Sequence, residues 1–127
     1  MAREVFKPAG VHPPTGYSHA IKVGNTIYVA GQVAMDEAGN LVGGTDPAAQ
    51  AEQVYTNLQR VLAAAGANLR DVVKLNTYAT DMRNMRAFRE VRQKYFGDHA
   101  PASTAVQVVA LAQPGLLLEV EAVAVVD

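Results

Sequence analysis

A chain of 127 residues, half of them hydrophobic, can bury about two-thirds of its surface without staples, so disorder is excluded and a single domain over residues 1–127 is expected. Eleven Lys+Arg against twelve Asp+Glu leave a net charge of −1, without the basic excess of a nucleic-acid-binding domain. No cysteine is present, which removes disulfides, thiolate zinc sites and thiol nucleophiles; with no apolar signal region and no membrane-length apolar run, a cytoplasmic protein is expected.

Residues 7–18 carry Pro8, Gly10, Pro13, Pro14 and Gly16 and read as an irregular lead-in, because proline removes backbone donors and fixes φ. His19 to Val23 alternates, Gly24-Asn25 makes a turn, and Thr26 to Val33 is rich in β-branched and aromatic residues, so a hairpin is predicted. Asp36 to Gly44 is a polar, glycine-rich loop. Asp46-Pro47 then opens a helix, since Asp caps and Pro suits the first helical position. Val54, Leu58, Val61, Leu62 and Ala65 recur along it at helical spacing, and Gly66 closes it. Asp71 to Thr80 reads as a strand, Asn84 to Phe96 as a second helix ended by Gly97. Ser103 to Ala110 and Leu116 to Val126 read as two further strands, separated by a Gln113-Pro114-Gly115 turn. The order ββ-α-β-α-ββ predicts an α+β domain with both helices on one face of a mixed sheet. The last strand is apolar on both faces over most of its length. Two helices cover only one sheet face, so the other needs a partner and self-association is expected.

Standard catalytic motifs are few. His12, His19 and His99 have no metal-ligand spacing and read as surface or turn histidines; no metal site is expected. Gly39, Gly43 and Gly44 form neither a dinucleotide fingerprint nor a phosphate loop. Ser18 and Ser103 lack a nucleophile-elbow context. Arg83, Arg86, Arg89 and Arg92 drift by about 60° per step and spiral around their helix rather than forming a stripe. Arg92 alone falls inside the apolar arc set by Met85, Phe88, Val91, Tyr95 and Phe96. Its guanidinium must either snorkel to water or meet an anion in a cleft or interface. Glu119 and Glu121 sit two apart in the last strand, so they share one face about 7 Å apart. Such a pair either keeps a boundary soluble or supplies a carboxylate whose pKa is raised by apolar neighbours, usable as a general acid/base toward water.

Taken in order, several segments resemble the RidA (YjgF/YER057c) family of reactive-intermediate deaminases over nearly the whole chain. They are Gly16-Tyr17-Ser18-His19-Ala20, Ile27 to Val33, Gln50 to Gly66, Asp71 to Asp81, Tyr95-Phe96, Pro101-Ala102 and Leu118 to Ala124. The resemblance implies a chorismate-mutase-like fold and a homotrimer whose three intersubunit clefts bind small carboxylates. It implies hydrolysis of imines and enamines, such as 2-iminobutanoate, to a 2-oxo acid and ammonia without metal or organic cofactor. It also implies that Tyr17 hydrogen-bonds the substrate, that Glu119 holds the water, and that Gly31 and Ala105 present backbone groups to the ligand.

Three positions depart from that pattern: Ala30 replaces a serine, Arg92 an asparagine on the second helix, and Ser103 the arginine of the Pro-Ala-Arg-Ser signature. That arginine clamps the substrate carboxylate, and serine cannot replace a bidentate pair. The usual 2-imino acids are therefore not the expected substrates; a guanidinium entering from the second helix at Arg92 could hold an anionic group in another pose, with Ser103 or Arg92 binding the polar end of the substrate. The expected function is C=N hydrolysis of an anionic small molecule, with no nucleic-acid or membrane partner. The alternative is a non-catalytic metabolite-binding or regulatory trimer, favoured by the lost arginine and opposed by the retained Glu119. A ribonuclease or translation-inhibitor role has no basic surface, stacking platform or histidine pair in the sequence behind it.

Overall fold

The computed structural model describes residues 2–127, which form six strands and two helices. The strands are β1 (Arg3–Phe6), β2 (Ala20–Val23), β3 (Thr26–Val33), β4 (Val72–Ala79), β5 (Ala102–Gln107) and β6 (Leu118–Val125); the helices are α1 (Pro47–Ala64) and α2 (Met85–Phe96). The sheet order is β1-β2-β3-β6-β4-β5, with β4 and β5 parallel and every other pair antiparallel. This is the predicted chorismate-mutase-like α+β arrangement, with one strand more than the sequence reading contained. Strand β1 has no apolar alternation in Arg-Glu-Val-Phe and exists because β2 offers it an open edge. The last two strands are shorter than predicted and are not neighbours: β5 stops at Gln107 and lies beside β4, while β6 inserts between β3 and β4.

Helix α1 follows its sequence signals closely. The Asp46 side chain accepts from the backbone N–H of Ala48 and Ala49 at 3.0 and 3.4 Å, Pro47 occupies the first turn, and Gly66 follows the cap with φ +81°. Val54, Leu58, Val61 and Leu62 are fully buried against the sheet. Two buried amides on the same face tie the helix to its surroundings. Gln50 donates to the carbonyls of Gly44 and Gly115, both at 2.7 Å, and accepts from Leu117 N–H at 2.8 Å. Asn57 donates to the carbonyls of Val33 and Met35 at 3.0 and 2.9 Å. The burial of these two amides is thus offset by their hydrogen bonds.

Period-two alternation then sorts the sheet residues. On β6, Leu118, Val120, Ala122 and Ala124 are buried beneath the helices, and Glu119, Glu121, Val123 and Val125 face the other way. Among the described residues that second face has no covering layer: Tyr28 on β3 is 54% exposed and Val106 on β5 is 43% exposed. No helix among the described residues is long and apolar enough to cross a membrane.

Candidate functional site

A bulge in β3 shapes the site. Val29 pairs with Ala122 and Gln32 with Val120, so Ala30 and Gly31 together stand opposite the single residue Glu121. The side chain of Glu119 lies over this bulge. A Cβ at position 31 would meet Glu119 Cδ at 2.5 Å and Cγ at 2.7 Å, so only glycine leaves room for that carboxylate.

The two glutamates share a face, as their spacing predicted, but their environments differ. Glu121 Oε1 accepts from Tyr78 Oη at 2.7 Å and Asn76 Nδ2 at 3.0 Å. Glu119 has no such donor among the described residues, and burial, then the neighbouring Glu121 charge, raises its pKa above the usual glutamate value. Glu119 and Tyr17 line one cleft of about 580 Å³, with His12, Gly31, Val33 and Met35 in its wall. Burial, then the Glu119 charge, likewise pushes the Tyr17 phenol up.

Behind Tyr17 stands a set of side chains that sequence spacing did not find. His12 Nε2 lies 3.0 Å from Tyr17 Oη, His19 Nε2 donates to the His12 carbonyl at 2.7 Å, and Gln32 Nε2 donates to His19 Nδ1 at 3.1 Å and to the Ala30 carbonyl at 3.0 Å. The reading of the three histidines as surface or turn residues is therefore corrected: His19 is fully buried and His12 is 9% exposed. His99 is half-buried, with Nε2 at 2.7 Å from the Val72 carbonyl and its ring stacked on Phe96. The proline-rich lead-in carried no periodic signal that could have placed His12 under Tyr17. A histidine pair does exist, with ring centroids 4.9 Å apart, but both nitrogens of His19 are occupied and its ring is shut off from solvent. It is not a free acid/base pair. Among the described residues no three His, Asp or Glu side chains gather to hold a metal.

The remaining predicted residues lie elsewhere. Ser103 pairs with Leu75 and Ala105 with Thr77, which puts both on the helix-covered face, opposite to Glu119. Arg92 is half-buried and shares a recess of about 120 Å³ with Ser103, Phe96 and His99. It forms no ion pair among the described residues, whereas Lys94 holds Glu52 at 3.1 Å and Arg86 holds Glu90 at 3.5 Å. Within one chain, then, Tyr17, Gly31 and Glu119 come together and Arg92 and Ser103 come together, but the two groups are on opposite sides of the sheet.

The helix-backed six-stranded sheet and its glutamate-bearing cleft define a small α+β protein of the RidA/YjgF class. Residues 9–126 match the family described as Endoribonuclease L-PSP, and the chain belongs to that family. It is 44% identical to a RutC family protein of Pyrococcus abyssi, over 98% of both chains. It is 40% identical to a goat protein called 2-iminobutanoate/2-iminopropanoate deaminase, over 93% of this chain and 83% of that one. Among solved structures, RidA from an Antarctic Psychrobacter superposes with a TM-score of 0.90 at 37% identity, covering 97% of this chain and 99% of that one.

Proposed function

We propose that this protein is a cofactor-free hydrolase of C=N bonds, an imine or enamine deaminase acting in clefts between the subunits of a homotrimer. The observation that carries the reading is the difference between the two glutamates. Glu121 is held by two hydrogen-bond donors, whereas Glu119 has no hydrogen-bond donor among the described residues and stands over Gly31, beside Tyr17, with a raised pKa. A carboxylate in that condition is a better base toward water than an ordinary one. The deaminase names of relatives at 40% identity support the same chemistry.

In the proposed reaction Glu119 takes a proton from water as the water oxygen bonds to the imine carbon, and the imine nitrogen takes up a proton from solvent. Tyr17 holds the polar group at the reacting centre, and the backbone at Gly31 lines the same wall. Protonated Glu119 then returns its proton to the amino nitrogen of the resulting carbinolamine, and the hydroxyl proton passes to solvent as the C–N bond breaks, which yields a carbonyl compound and ammonia and leaves Glu119 ionised again. Ser103, Ala105 and the unpaired Arg92 of a neighbouring subunit would complete the cleft and hold the anionic end of the substrate. The uncovered sheet face, with exposed Tyr28, Val106 and Val125, supports self-association. Because Ser103 replaces a bidentate clamp, the substrate is an anionic imine that reaches Arg92 rather than an ordinary 2-imino acid.

The test is ammonia release from a panel of imines generated in situ, with sedimentation to establish the trimer. Glu119→Gln, nearly isosteric, is expected to abolish the acceleration while keeping the trimer, and Glu121→Gln to stay within a few-fold of the parent. Equal loss in both variants, or a monomer at micromolar concentration, would overturn the reading. The ribonuclease sense of the family description finds no support in a chain of net charge −1 whose histidine pair is engaged.

A further inference from the structure

The proton between His12 Nε2 and Tyr17 Oη, 3.0 Å apart, could be given by either group. The other ring nitrogen decides which. His12 Nδ1 is buried and has no hydrogen-bond partner among the described residues. A neutral imidazole carries one N–H. On Nδ1 that proton would be a buried donor without an acceptor, and orphaned buried N–H groups are rarer than under-satisfied acceptors. On Nε2 it is satisfied by Tyr17, and Nδ1 is left as a bare acceptor. The doubly protonated ring is disfavoured as well, since burial and then the His19 ring lower the His12 pKa.

We infer that His12 is a positioning residue: it donates Nε2–H to the Tyr17 oxygen and thereby turns the Tyr17 O–H into a hydrogen-bond donor aimed at the cleft. The surroundings hold His12 in that pose. His19 donates to the His12 carbonyl at 2.7 Å and meets its ring edge-on at 81°. Gln32 fixes His19 from behind and is itself tied to the Ala30 carbonyl, in the bulge that makes room for Glu119. The titratable groups facing Tyr17 are His12, His19 and Glu119.

A ligand atom opposite Tyr17 must then bring a lone pair. A carbonyl or carboxylate oxygen, or a neutral imine nitrogen, fits; an ammonium, which offers only N–H, is rejected. This specificity rests on the proposed C=N hydrolysis, but the direction of the His12–Tyr17 bond does not.

Two measurements on the substrate-free protein test it. Long-range 1H–15N correlation spectra of labelled protein, with the His12 signals identified by their loss in His12→Gln, are expected to show the neutral ring protonated on Nε2. A proton on Nδ1, or on both nitrogens at neutral pH, overturns the inference. Second, tyrosine 13Cζ titration, with Tyr17 assigned by Tyr17→Phe among the five tyrosines, reads the same bond from the other side. In His12→Leu the Tyr17 midpoint is expected to rise, because a donor to the phenolate is lost. In His12→Gln, which keeps an N–H, it is expected to stay closer to the parent. A fall in His12→Leu would mean that Tyr17 had been the donor, and no change would mean that no bond was lost; either refutes the assignment. The tautomer of the parent protein decides the question even if the leucine variant does not fold. Neither readout depends on catalysis, so failure of the hydrolase reading and failure of this one are told apart.

Discussion

Gly31→Ala perturbs the candidate site through a single methyl group. The new Cβ would stand 2.5 Å from Glu119 Cδ and 2.7 Å from Cγ, whereas ordinary contacts begin at 3.4 Å. The carboxylate must therefore retreat by about 1 Å, and a misplacement of that size costs on the order of 10²-fold in rate where geometry is preorganised. The fold should hardly notice. Gly31 is not among the glycines with positive φ, and the atoms that must yield belong to a flexible side chain. Restricting the unfolded chain offsets part of the clash by about 0.4–1 kcal/mol. The expected outcome is a loss of about 100-fold in C=N hydrolysis, with stability in urea within about 1 kcal/mol of the parent. An accompanying readout needs no substrate: carboxyl 13C titration should show the Glu119 midpoint falling toward the ordinary glutamate range as the group moves into water. The Tyr17 midpoint should fall with it, since the Glu119 charge that raises it recedes. An unchanged Glu119 midpoint, or full activity in the variant, would refute the placement of this carboxylate over Gly31.

Other outcomes follow from the same structure. Because folding raises the Glu119 pKa, its electrostatic penalty is absent in acid, where folded and unfolded states are both protonated, and grows as pH rises through the raised midpoint. Glu119→Gln is thus expected to raise Tm at neutral pH and to lose that advantage below about pH 4; calorimetry at the two pH values checks it. Gln50→Ala removes three hydrogen bonds at a fully buried position and should cost on the order of 3 kcal/mol, read from urea unfolding. Ser103→Arg introduces a guanidinium at the proposed second half of the cleft and should raise turnover of 2-iminobutanoate, each tenfold gain corresponding to about 1.4 kcal/mol. A parent rate equal to that of Ser103→Arg would show that Arg92 already suffices for ordinary 2-imino acids.

The parts of the fold that were legible in the sequence carry their signals locally. Asp46-Pro47 caps and starts α1, apolar residues recur from Val54 to Ala65, and Gly66 and Gly97 follow the helix ends; each acts within a turn or two of the chain. Strand β1 was not legible, because it forms by pairing with the β2 edge and its own side chains are mostly exposed, with Phe6 partly packed against the core. Nor was the β3 bulge, whose extra residue is defined only by register against β6. The site shows the same division. Period two put Glu119 and Glu121 on one face, but what separates them comes from Asn76 and Tyr78 on β4, distant in sequence. His12 and His19 were misread because burial in an irregular segment follows from tertiary packing rather than from any repeat. Arg92 was legible as an arginine on an apolar arc; its proximity to Ser103 depends on β5 running parallel to β4 beneath α2.

In the proposed function a substrate spans Glu119 and Tyr17 of one subunit and Arg92 and Ser103 of the next. A crystal structure with the carboxylate-bearing carbonyl product of the imine that the panel turns over fastest decides it. Three subunits around a shared axis are expected, with the ligand carbonyl oxygen within hydrogen-bond distance of Tyr17 and close to Glu119, and the ligand carboxylate turned toward Arg92 of the neighbouring subunit. A ligand seated on Glu121, or one whose carboxylate lies away from Arg92 in all three clefts, would contradict it.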